Sequence, residues 1–142
     1  MLFVFRVGDA GLNEVVKQIK HLNAGDLVRV DWFDASIGKS LSGGVGGIDV
    51  PVISWGVFLG VLGEKNKHII LAQNSFRYAD GIFDIDYTAV PKDWTANITV
   101  IVRNHIVPEE TKYLLNSFLM GGKNNTSRRI KQQSVRNHEG LD

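Results

Sequence analysis

A chain of 142 residues with 44% hydrophobic content and a formal net charge of +1 has room for one core plus appendages. With no cysteine, disulfides, thiolate zinc sites and thiol nucleophiles are excluded, which suits a reducing interior or a very hot habitat. No run approaches the roughly 18 apolar residues of a membrane span, and MLFVFRVGD is too short an apolar run for a signal peptide, so a cytoplasmic protein without a membrane partner is expected.

Leu2 to Val7 alternate weakly and read as a short strand or an extended lead-in, turned by Gly8-Asp9-Ala10-Gly11. From Leu12 to Leu22 the apolar residues Leu12, Val15, Val16, Ile19 and Leu22 keep the spacing of an amphipathic helix, and Asn23-Ala24-Gly25-Asp26 stops it. Leu27 to Phe33 is an alternating strand. A long loop then runs from Asp34 to Asp49 with five glycines, Gly38, Gly43, Gly44, Gly46 and Gly47. A loop of that length and composition is conformationally permissive and usually functional or disordered.

Residues 52–73 form the centre of the chain, two antiparallel arms joined by Gly63-Glu64-Lys65-Asn66-Lys67. The first arm, Val52 to Leu62, is apolar nearly throughout and carries Gly56 and Gly60, the pattern of a strand buried on both faces that bends at its glycines. The second arm, His68 to Gln73, ends in polar Gln73-Asn74-Ser75. Phe76 to Phe83 reads as an insertion turning at Asp80-Gly81, followed by a short strand over Asp86 to Val90, a tight turn over Pro91 to Trp94 and a last strand over Asn97 to Arg103. Pro108-Glu109-Glu110 opens a helix that stops at Gly121-Gly122.

These elements predict a mainly β fold, a small five-stranded, strongly bent barrel with an N-terminal and a C-terminal helix, because closure removes exposed strand edges. The expected division is a barrel domain over residues 1–107, a helix over 108–122 and a basic, disordered tail over 123–142. That tail is charged +3 through Lys123, Arg128, Arg129, Lys131 and Arg136 against Glu139 and Asp142, leaving the body at −2. Such a segment is either an electrostatic arm for nucleic acid or simply solvated chain.

The helix ending in Gly25-Asp26, the glycine-bent strand, the polar turn, HIILAQ and NITVIV together resemble the layout of the Sm-like family over about residues 12–103. That resemblance implies a helix-capped barrel, rings closed by strand pairing, and RNA bases held in pockets built from two loops. Where the family has Asp and Asn before its third strand, this chain has Glu64 and Asn66, with His68 near the Asn position. Where the family has an Arg-Gly pair, this chain has Pro91-Lys92-Asp93-Trp94. Ala89 to Trp94 is also similar to the turn before the last strand of Src-homology-3-like barrels, whose peptide-binding members line a groove with aromatics and that proline. Small barrels of this kind also resemble uncharacterised proteins of viruses and mobile elements.

Gly38-Lys39-Ser40 lacks the upstream glycine of a phosphate-binding loop, since Phe33 stands there, and no helix follows it. Asp80, Asp84 and Asp86 do not follow the order of a calcium loop. The four histidines have no metal-ligand spacing, and no nucleophile, base and acid set is recognisable, so neither a cofactor nor an enzyme is expected. Trp32 and Trp55 read as core fillers, whereas Trp94 is either core or an exposed stacking face beside Lys92. The expected function is binding of RNA or single-stranded DNA by Lys65, Asn66, Lys67 and His68 on one loop, Lys92 and Trp94 on another, and Arg128, Arg129 and Lys131 of the tail. The alternative is a protein-interaction or assembly module, and a homo-oligomer is expected in either case.

Overall fold

The computed structural model describes residues 9–34, 48–79 and 83–121. The helical period of the first apolar stretch produces helix α1, Asp9–Lys20, whose Val15 is fully buried and packs with Ile19 and the following Leu22 on one face of a sheet. The sheet strands are β1 (Leu27–Asp34), β2 (Val50–Leu62), β3 (His68–Arg77), β4 (Phe83–Pro91) and β5 (Thr95–Val102). A single 3₁₀ turn, Lys92–Trp94, joins β4 to β5, and helix α2, Pro108–Met120, closes the order. All the pairings are antiparallel, in the spatial order β4-β3-β2-β1-β5.

The barrel expectation needs correction. Val90 of β4 and Ile98 of β5 are buried in the same cluster as Val28, Val30, Phe58, Ile69 and Leu71, so the sheet's two edge strands converge on one core beneath α1. Among the described residues, however, β4 and β5 form no ladder. Helix α1 occupies part of the β5 rim instead, since Gln18 Oε1 accepts from the Ile98 N–H at 2.8 Å and Gln18 Nε2 donates to Asn97 Oδ1 at 2.7 Å. The fold is therefore mixed α/β, an open five-stranded sheet with a helix on each face, rather than a mainly β closed cylinder.

The two interior glycines of β2 serve different ends, Gly60 at an irregularity of the ladder and Gly56 at a close approach of the neighbouring strand. Gly60 takes φ +154° at a register shift in the β2–β3 ladder, a backbone conformation that side chains disfavour. At Gly56 an added Cβ would stand 2.9 Å from the Ala72 carbonyl oxygen and the Leu71 side chain, so the neighbouring strand can approach only because nothing is there. Burial on both faces holds only around Phe58 and Leu59. Towards the start of the strand Ile53 is 41% and Trp55 53% exposed, so Trp55 is not a core filler. The reason is the reach of α2, which buries Leu114 against Leu59, Ile70, Ala72 and Ile85 but leaves the β1 and early β2 part of that face uncovered. Trp32 does pack against the α1-side core, half-buried, with its indole N–H donating to Ser54 Oγ at 3.0 Å.

Of the insertion expected over Phe76 to Phe83, Phe76, Arg77 and Phe83 are strand residues, and the expected turn at Asp80-Gly81 lies outside the described residues. The β3–β4 ladder continues past a bulge between Ala72 and Asn74 as far as Arg77 opposite Phe83. Exposure of Gln73 to Arg77 removes the apolar alternation that would have marked the strand in sequence. The lead-in strand at Leu2 to Val7, the glycines of the long loop and the tail over 123–142 lie outside the described residues.

Candidate nucleic-acid interface

The β2–β3 turn holds itself in shape. Lys67 Nζ donates to the Gly63 carbonyl at 2.8 Å, and His68 Nδ1 lies 3.0 Å from the Asn66 carbonyl oxygen. Because a carbonyl can only accept, that contact places the imidazole proton on Nδ1 and leaves Nε2 of the neutral ring as an acceptor.

The second wall comes from the β4–β5 corner. Pro91 supplies the fixed φ that starts the 3₁₀ turn, and buried Thr95 donates from Oγ1 to the Pro91 carbonyl at 3.0 Å, pinning the far end. The Lys92 N–H donates to the Lys67 carbonyl at 3.0 Å, and His68 lies opposite Pro91 in the ladder. Two segments about 25 positions apart are thereby clamped side by side.

Between them is a cleft of about 310 Å³ lined by Asn66, Lys67, His68, Pro91, Asp93 and Trp94. Trp94 is 43% exposed, so it presents ring surface rather than filling the core. Four of the residues expected from sequence, Asn66, Lys67, His68 and Trp94, meet here. Lys65 is exposed on the same turn and Lys92 is half-buried on the same corner, but neither lines the cleft. Arg128, Arg129 and Lys131 lie outside the described residues. Sequence reasoning missed Asp93 as a wall of the site, although its place between Lys92 and Trp94 was the available signal.

The rim is only weakly positive, since Glu64 and Asp93 stand among Lys65, Lys67 and Lys92. A ring face, an amide, an imidazole acceptor and an ammonium in one concavity suit a planar, polar-edged group better than a bare phosphate. No group of three or more metal-ligating side chains occurs among the described residues, and no helix among them is long and apolar enough to cross a membrane.

A second exposed region lies where α2 stops covering the sheet. Trp55 is opposite Arg29 and Ile53 is opposite Asp31 in the β1–β2 ladder, and Arg29 pairs with Asp31 at 2.9 Å. The hydrogen bond to Asp31 and the charge of that carboxylate raise the Arg29 guanidinium further above its ordinary value, so it stays cationic wherever the fold persists.

No family model, curated protein or solved structure matches this chain.

Proposed function

We propose that this chain is a non-enzymatic binding module that takes single-stranded nucleic acid, RNA or DNA, at the cleft between the β2–β3 turn and the β4–β5 corner. The observation that carries the reading is the convergence of Asn66, Lys67 and His68 with exposed Trp94. In it a base stacks on the indole while its edge meets Asn66 and His68 Nε2, and Lys65, Lys67 and Lys92 face the backbone. The resemblance to the Sm-like layout, in which bases occupy pockets made by two loops, supports the same placement. The basic segment over 123–142 serves as an auxiliary arm.

Fluorescence anisotropy with RNA and single-stranded DNA oligomers at low salt tests the reading. Binding is expected to fall steeply as salt rises, because phosphate contacts release counterions. Trp94→Ala is expected to weaken it about tenfold, the effect of losing one stacked base, while Trp55→Ala leaves it unchanged. Deleting residues 123–142 is expected to reduce the salt slope. Absence of binding to either oligomer at low salt overturns the proposal.

A second reading, an assembly module, is favoured by the uncovered face at Ile53 and Trp55. Its adjacent Arg29 and Asp31 charges are self-complementary about a two-fold axis, which suits a second copy of the chain. Sedimentation that stays monomeric at all concentrations removes this reading.

A further inference from the structure

The β3–β4 hairpin runs beyond the core, and one side of its far half is covered by neither helix. Odd positions of β3 beyond the bulge face α2: Ser75 lies opposite Ile85, which is buried against Leu114, and Arg77 pairs with Glu110 at 2.7 Å. Even positions therefore face the other way. On that side Phe76 and Tyr78 are 41% and 52% exposed and stack with ring centroids 6.4 Å apart and planes 14° from parallel. Asp84 stands directly opposite Phe76, and Asp86 opposite Asn74. Asp84 Oδ1 accepts from the Ile85 N–H at 2.8 Å, and Asp86 accepts from the backbone and side chain of Asn74. These bonds hold both carboxylates in place without using all their lone pairs.

Two stacked rings bordered by two positioned carboxylates match a guanidinium or an ammonium, which gains from the ring faces and the negative charge together. We infer that, when no nucleic acid is bound, this face is the docking surface for the chain's own basic segment, residues 123–142, which leaves the face to serve as the arm. Charge favours it, because that segment carries +3 and the remainder of the chain −2. Reach permits it. The first turn of α2 is fixed to the hairpin through Arg77 and Glu110, and Met120 follows Glu110 by about 15 Å of helix. Arg128 lies eight residues further on, up to about 26 Å of extended chain. Since β4 is the edge strand, the segment has only one strand, about 5 Å wide, to pass between the two faces. Tethering then supplies an effective concentration in the millimolar range, which a cationic peptide from elsewhere would have to match.

The inference does not depend on the cleft reading, and its test uses the full chain without nucleic acid. Reversing the segment's charge with Arg128→Glu, Arg129→Glu and Lys131→Glu is expected to shift the backbone amide resonances of residues 74–78 and 84–86, and high salt is expected to move the unsubstituted protein the same way. Conversely, Phe76→Ser with Tyr78→Ser is expected to speed tryptic cleavage after Arg128 and Arg129 several-fold at low salt, with no difference at high salt. Unmoved resonances in the charge-reversed chain overturn the inference, whatever the hairpin variant does. Shifts that grow with protein concentration also overturn it, because they place the segment of a second copy on the face.

Discussion

Asp26 is fully buried, yet three donors converge on it: Asn104 N–H on Oδ1 at 2.8 Å, and Asn23 N–H and Arg103 Nη1 on Oδ2 at 2.9 and 3.0 Å. One carboxylate thus ties the α1–β1 connection to the β5–α2 connection. Replacing it by alanine strands two backbone donors and a cation, so Asp26→Ala is expected to cost about 3 kcal/mol in urea unfolding, with Asp26→Asn costing less. In the sequence Gly25-Asp26 read only as a helix stop, because Arg103 and Asn104 lie some 77 positions away and no local pattern announces them. Trp94 shows the opposite case. Its place in a turn among Lys92 and Asp93 was visible at once, and only its exposure had to come from the fold. Trp55 was misread because alternation along a strand tells which residues share a face but not which face is covered.

Elements were more readable than residues where one face is apolar. The helical spacing of Val15, Ile19 and Leu22, the alternation of β1 and the proline that opens α2 all gave the right element type within a few positions. The exposed end of the β3–β4 hairpin did not, since exposed strands need no apolar face. The same reasoning assigns stability to the buried contacts. Leu114, 5% exposed, joins α2 to the sheet, and Leu114→Ala is expected to cost about 3 kcal/mol. Arg77 with Glu110 joins the same two elements at the surface, where 61% and 42% of the side chains stay exposed, so breaking that pair is expected to cost less than about 1 kcal/mol. A double-mutant cycle in urea checks the contrast. Gly56→Ala is expected to cost about 2 kcal/mol, because the Ala72 backbone must give way.

At the scale of the molecule, five strands between two helices along the chain followed from the sequence, but neither their order in the sheet nor its lack of closure did. Five strands and a proline-led corner suggested a cylinder, and hydrophobic pattern alone cannot tell whether a sheet's two rims bond each other or something else. Here the amide of Gln18 takes the Ile98 N–H near the middle of the β5 rim, a rung that a neighbouring strand would otherwise use. Growth of copies strand against strand, head to tail, requires a vacant rim at both ends of each sheet. Among the described residues only the β5 rim carries such a bond from a helix side chain, so strand-to-strand association of copies is expected to join two β4 rims and to stop at a pair. Gln18→Ala is expected to lift that cap, and analytical ultracentrifugation across a concentration series would register the change as species larger than dimers.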